Sequence, residues 1–466
     1  MKHTIAFVIF VTGCSFNPGG SKDDLGSNGD NDMGSAAGDL GDEPDLSPVC
    51  TPGDSTCTGG MLSVCNPDGT GVDTTACVIG CNTAGVDCLA LQPTAPAVAS
   101  DFVYAGLKEP TLTQPLLVFD ADTGEIQDGA GASVRMPNVA PGSRGVENGI
   151  GFHVASGVGI WTFAKLTIPA STLVVFKHSA ASAGVSILSA SDLTVAGTID
   201  ARGYMDPTQA LMATSTLCVG TVAGPGGTIG GSGPTNAAGT GAGGSVADAL
   251  AGGGGGGYGD VGGAGGKHGG TNGGTAGAVA GAAAISPLLG GFGGGSSGTA
   301  GTTNGNGGGG GAALQLAAQG TISVSGGINA GGCGGAPGDA THGGGGGGAG
   351  GGILVEAPTI NVAATGKLAA NGGGGGGGGD VSAAPGKAGD LTSARAAGGT
   401  ATGAANGGGG GAGANPTGSP GDNGNGAGGG GGAVGRVRLN TRTGSTTPDP
   451  SAVISPPASQ GTVVIQ

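Results

Sequence analysis

Hydrolysing a glycosidic bond takes two carboxylates about 5–9.5 Å apart, and this chain offers few candidates. Asp192 and Asp200 flank an alternating apolar stretch, and Asp120 and Asp122 stand in FDADTGE. In later copies of the first stretch the corresponding positions carry Asn329, Asn361 and small residues, so no acid pair recurs. Asp120 and Asp122 share one strand face, but beside Gly124 they read as a turn. His153 and His178 stand on expected strands, His268 and His342 are set in glycine, and His3 belongs to the leader. No two histidines have metal-ligand spacing. No G-x-S-x-G is present, and no glycine run leads into Lys-Ser/Thr, so neither a nucleophile elbow nor a phosphate loop is expected. Arg436 and Arg438 share a strand face and could touch an acidic glycan or a lipid head group, although a solvated face is their ordinary reading. The expectation is a chain without catalytic residues, metal or cofactor.

Sulfur chemistry is better supported. Six of the nine cysteines, Cys50, Cys57, Cys65, Cys77, Cys81 and Cys88, are closely spaced. They contain no CxxC pair and have no histidine nearby, which argues for disulfides over a metal site, with the connectivity left open. A module this small has too little core to hold itself without such staples. Cys218 and Cys333 could form a further bridge that closes a long loop. Cys14 has a different context. MKHTIAFVIFVTGC has a short polar start, an apolar run too short to span a bilayer as a helix, and small residues before the cysteine. Val11-Thr12-Gly13-Cys14 resembles the lipobox of bacterial lipoproteins. The resemblance implies cleavage at 13, lipidation of Cys14 and, with Ser15 following, the outer membrane.

The elements that must position these residues are set by an unusual composition. Of 466 residues 118 are Gly, only 3% are aromatic and 10% charged, and the net charge is −15. Glycine costs about 0.5–1 kcal/mol per helical position, which argues against an ordinary helical or α/β enzyme, and no overall Gly-X-Y period supports collagen. No basic patch interleaved with aromatics is present, so no nucleic-acid partner is expected. Residues 15–49 carry eight acidic residues and almost nothing apolar. Such a segment cannot offset chain entropy and reads as a disordered tether with a reach of about 30–35 Å. Asp30-Asn31-Asp32 lacks the remaining ligands of a calcium loop.

From 101 onward short apolar runs alternate with turn residues. Phe102–Tyr104, Leu116–Phe119, Gly159–Phe163, Val174–Phe176 and the stretch 185–203 all predict strands. One pattern recurs, with Leu193/Ile199, Ile322/Ile328 and Ile360/Leu368 as equivalent pairs. Each copy follows an apolar run: Ile187-Leu188, Leu314–Leu316 and Ile353–Val355. A partial fourth copy lies at Val434–Leu439. Units too small to bury their own faces can do so by stacking. Between them glycine forms runs at 252–257, 307–311, 343–348, 372–379, 407–411 and 428–432. Two readings compete: flexible loops, or extended polyglycine-II segments that pair laterally because they form no internal hydrogen bonds.

Two resemblances follow from these residues. The six-cysteine stretch CTPGDSTCTGGMLSVCNPDGTGVDTTACVIGCNTAGVDC is similar to short cysteine modules of predicted myxobacterial and deltaproteobacterial lipoproteins. The I-x-V-x-G-x-I-x-A-x-G-G/poly-Gly pattern resembles glycine-rich surface proteins of the same bacteria, whose function is not established. The glycine content also looks like that of polyglycine-bundle tip adhesins of phage tail fibres. These resemblances imply an extracytoplasmic surface protein.

The expected organisation is a signal peptide (1–13), acidic tether (14–49), cysteine module (50–88), linker (89–100), β-rich domain (101–218), glycine-rich solenoid-like region (219–440) and C-terminal tail (441–466). The fold class is all-β, a parallel β-helix or solenoid-like body with glycine-rich segments. The expected role is a lipid-anchored, non-catalytic structural or adhesion protein. Its partners would be the membrane, through the lipid, and a cell-surface glycan or matrix. The alternative is a carbohydrate-active lyase or hydrolase on a β-helix.

Overall fold

Alternation of branched apolar residues with small polar ones yields strands, and glycine stops helices from starting. The computed structural model describes residues 49–466 except 139–142, 178–182, 204–217, 234, 299–304, 380–381 and 404. The leader, Cys14, all of the tether but its last residue, and His178 lie outside the described residues. Among the described residues the regular structure is β, apart from a 3-10 turn at Ala99–Phe102. Phe102 therefore ends a turn, and Val103 and Tyr104 do not form the expected strand; Val103 is 80% exposed.

In the cysteine module β1 (Ser55–Thr58), β2 (Met61–Cys65) and β3 (Val72–Ala76) form an antiparallel meander. Disulfides Cys50–Cys65, Cys57–Cys81 and Cys77–Cys88 staple it. With β3 wholly exposed, these bonds supply much of what a core would otherwise provide. Next comes β4 (Leu91–Gln92), which pairs with the end of the chain.

The body is built from stacked units of three strands. It opens with β5 (Leu116–Asp120), β6 (Ile126–Asp128), β7 (Ser133–Arg135), β8 (Gly145–Glu147) and β9 (Ile150–Ala155). The first unit is β10 (Val158–Phe163), β11 (Leu166–Ile168) and β12 (Leu173–Lys177). The second is β13 (Gly184–Ser189), β14 (Leu193–Val195) and β15 (Thr198–Asp200). The third is β16 (Ala313–Ala318), β17 (Thr321–Val324) and β18 (Gly327–Asn329). The fourth is β19 (Gly352–Glu356), β20 (Thr359–Val362) and β21 (Lys367–Ala369). The fifth has β22 (Arg436–Thr441) as its first strand and β23 (Val453–Ser455) as its third; β24 (Ser459–Thr462) then lies beside β22, and β25 (Val464–Ile465) returns to β4.

From one unit to the next, first strands pair with first strands, second with second and third with third, always in parallel, which gives three sheets; the second-strand sheet ends at β20. The repeat pairs meet in register: Leu193, Ile322 and Ile360 in one column, Ile199, Ile328 and Leu368 in another. A third column runs Trp161, Ile187, Leu316, Val355, Leu439. All these side chains are buried in one core, each contributing about 1.5–3 kcal/mol. The VGRVRL segment pairs with β19, so it repeats the apolar run that precedes the motif and not the motif itself. Residues 441–466, expected as a tail, supply β23 to β25 and extend two of the sheets.

Antiparallel hairpins cover the N-terminal edges of the first-strand and third-strand sheets. Trp161 packs there between Phe119 and Phe152, with ring centroids 5.1 and 4.9 Å away. Arg135 is fully buried beside them and forms no ion pair among the described residues. Its guanidinium donates to the carbonyls of Ile150, Gly124 and Met136, and burial pushes its pKa down to about 10.

The connections between successive units, 201–312, 330–351 and 370–435, carry the glycine. Their segments lie side by side and exchange backbone hydrogen bonds with a period of three. In the segment entering β19, Gly344, Gly347 and Gly350 donate to Ala427, Gly430 and Ala433. Gly345, Gly348 and Gly351 donate to Ala336, Cys333 and Ala330, while Gly346 and Ala349 donate to Gly295 and Phe292. The carbonyls of the same segment accept from Gly253 and Gly256, from Gly308 and Gly311, and from Gly373 and Gly376. One segment thus has six neighbours, as a backbone with three residues per turn allows. The segments at 252–257, 372–378 and 428–435 are surrounded in the same way. Disulfide Cys218–Cys333 ties the start of this array to the segment leaving β18.

Candidate functional site

An interior glycine segment has no side chains, so chemistry can appear only where segments turn or face solvent. The sheets set which end is which. Segments entering β16, β19 and β22, and those leaving β18 and β21, each have one end fixed at a strand. Their far ends meet: Gly305 donates to Pro337, Gly379 to His342 and Gly344 to Ala427. The turns Ser232–Thr235, His268–Thr271 and Asp339–His342 therefore lie on one face of the array, remote from the sheets.

That face is made of hydroxyls, amides, carboxylates and two imidazoles. His342 Nδ1 lies 2.7 Å from Asp339 Oδ1, the same oxygen that accepts from the Thr341 amide and hydroxyl. His268 Nδ1 lies 3.1 Å from Asp248 Oδ2, and this contact holds the Asp248 carboxyl below its usual pKa, together with the Leu250 amide. The two pairs are neighbours, because Gly343 donates to the carbonyl of Ala249. Ser297 Oγ bonds the Gly343 carbonyl, and Ser296 Oγ bonds that of Gly233. Asn423 Oδ1 accepts from the Lys267 amide, while Thr271, Asn272 and Thr341 are exposed. The sequence shows the Asp339-x-x-His342 spacing of one pair. The other joins residues 20 apart and has no local signal.

The remaining expected residues are placed separately. Asp192 Oδ1 accepts from the Thr321 amide on the next unit, and Asp200 is paired with Arg202. Asp120 caps its turn through the amides of Asp122 and Thr123 and pairs with Lys177. His153 Nδ1 lies 2.8 Å from the Tyr104 hydroxyl, and its Nε2 lies 3.5 Å from the buried Asp101, which also binds Arg144. Arg436 does not stand on a solvated face: it lies over the Tyr258 ring and donates to the carbonyls of Ala280 and Gly281. Arg438 reaches Ser459. The only His, Cys, Asp or Glu group of metal-site geometry among the described residues is the sulfurs of Cys57, Cys77 and Cys81, and each is already in a disulfide. A disulfide sulfur is not the thiolate that a metal requires.

No protein-family model, curated protein or solved structure matches the chain.

Proposed function

We propose that the chain is a lipid-anchored bacterial surface protein with a structural or adhesive role. In this reading the stacked three-strand units are a β-solenoid, and the glycine segments continue it as a rigid polyglycine-II bundle. The lateral hydrogen-bond pattern is the observation that carries the reading, because it brings the polar turns to one end and fixes their spacing. Preorganised groups bind at lower entropic cost than the same groups on mobile loops. A face of hydroxyls, amides and carboxylates suits a glycan or matrix polymer at the outer surface. The four disulfides agree with an extracytoplasmic location. Cys14 would carry the lipid.

Cells displaying the full chain test the adhesive role. Wild-type chain should promote attachment to neighbouring cells or matrix, and a Thr271→Ala/Asn272→Ala/Thr341→Ala variant, altered only at exposed turn residues, should reduce it. Equal attachment by the two chains would remove the turn face from the function. Metabolic labelling with a fatty acid should mark the wild-type chain and leave Cys14→Ala unmarked.

A further inference from the structure

We propose that the crevice between the cysteine module and the strand stack binds a small neutral ligand, a hydrocarbon chain bearing a carbonyl oxygen. The crevice is no part of the turn face, so it stands whether or not the protein is an adhesin. It encloses about 390 Å³, within the size range of small-molecule sites.

The stacking of the units leaves this space. Phe163, Ser189 and Ala318 end the first strands of the first three units and are register neighbours. The residues that follow them, Ala164, Ala190 and Gln319, therefore form one column of corners, and all three line the crevice. Two of the three are alanines, too short to fill it. The cysteine module contributes the Cys77–Cys88 disulfide and Val78, and the chain after the 3-10 turn contributes Val103, Tyr104 and Leu107.

These parts are tied in place. The Leu89 amide donates to the Gly80 carbonyl, and the Ala164 amide donates to that of Lys108. The Tyr104 hydroxyl lies 2.8 Å from His153 Nδ1, and the Arg144 guanidinium lies 5.0 Å from the centroid of the Tyr104 ring. A site formed in advance binds at lower ordering cost.

The lining selects the ligand. Among the described residues that line the crevice none is charged, which favours a neutral molecule. Their polar side chains are those of Tyr104 and Gln319, and the Tyr104 hydroxyl is engaged with His153. Gln319 is only 8% exposed, and its Oε1 accepts from the Leu91 amide at 2.8 Å. That bond fixes the side chain. Its Nε2 bonds to no described atom, yet it is not sealed off from accessible space. A fixed donor in an apolar crevice calls for an acceptor, and a carbonyl oxygen supplies one with no charge to desolvate. Val78 and Val103 are 52% and 80% exposed, so the crevice opens along apolar surface that a hydrocarbon chain can cover.

The test is titration of the full-length protein with 2-octanone, N-methyloctanamide, octanoate and 1-octene, read by ligand-observed NMR. The ketone and the amide should bind about tenfold or more tightly than 1-octene, which lacks the carbonyl. Gln319→Met removes the donor at similar length and should bring the ketone down to the level of 1-octene. Ala190→Phe fills the crevice and should abolish binding of all four; it decides the matter if Gln319→Met does not fold. Failure of both the ketone and the amide to bind overturns the proposal, as does unchanged binding in the folded variants. Equal binding of 1-octene and 2-octanone would overturn the carbonyl assignment, and tightest binding of octanoate would overturn the neutral one. A wild-type dimer that Ala190→Phe breaks in sedimentation would make the occupant a second copy, which also overturns the proposal.

Discussion

The Thr94 hydroxyl donates to Glu356 Oε1 at 2.7 Å across 262 residues of chain, and the Thr94 amide donates to Oε2 of the same carboxylate. Gln315 Nε2 and Asn440 Nδ2 complete the shell, so a buried carboxylate with no cation beside it among the described residues is satisfied by four donors. Gln315, Glu356 and Asn440 come from the third, fourth and fifth units, and Thr94 comes from the segment after the cysteine module. One side chain thus fastens that segment across three first strands.

Removing a single donor from this shell leaves the carboxylate underbonded. Thr94→Val should cost about 1–3 kcal/mol in urea unfolding. Glu356→Gln should cost a comparable amount, because its amide nitrogen would face donors. If both variants unfold like wild type, the 93–94 segment contributes nothing to the stability of the stack.

The array leaves no space for side chains. A Cβ on Gly346 would fall well inside contact distance of the Gly254 carbonyl oxygen, and one on Gly348 would meet that of Gly309. Gly270, on an exposed turn, has open space around it. Gly346→Ala should therefore destabilise the chain by about 3 kcal/mol or more, with Gly270→Ala within about 0.5 kcal/mol of wild type. Paired denaturant titrations would show the contrast.

Hydrogen exchange separates lateral pairing from looped glycine directly. The amides of Gly344 to Gly351 are all bonded to other segments, so they should exchange on the timescale of global unfolding. Amides at Gly269 and Gly270 should exchange rapidly. Fast exchange across 344–351 would mean that the runs are loops.

Stability should also fall in mild acid through His153. Burial lowers the pKa of its imidazole below 6.5; Asp101 opposes the shift and Arg144 adds to it. The unfolded chain takes up this proton near pH 6.5, whereas the folded chain resists it to lower pH. The unfolded state thus binds more protons between the two pKa values, and stability present above pH 6.5 is lost as pH falls through that window. His153→Gln should flatten this part of the stability–pH curve. An unchanged slope in the variant would assign the acid sensitivity to other groups.

Much of the stack was legible in the sequence because strand pairing in register leaves a periodic trace. Leu193, Ile322 and Ile360 could be aligned by eye since each must fill the same column of one core. The disulfide-bonded state of the six clustered cysteines was legible for a similar reason: spacing without CxxC or histidine leaves little else for them to do. Their pairing was not, since three bonds among six sulfurs depend on how the β1–β3 meander folds. The glycine region carries one periodic trace of its own. Val261, Ala264 and Lys267 are exposed at every third residue with glycine pairs buried between them, the mark of a segment at the surface of the array.

Composition and alternation by themselves determined an all-β chain with stacked repeats and a stapled module. Tertiary structure alone decided which glycine segments are neighbours, where the polar turns gather and that 441–466 extends the sheets. A glycine run looks the same in every register and carries no side chain to select a partner. Its neighbours are chosen by the strands at its ends, and through them by contacts hundreds of residues away.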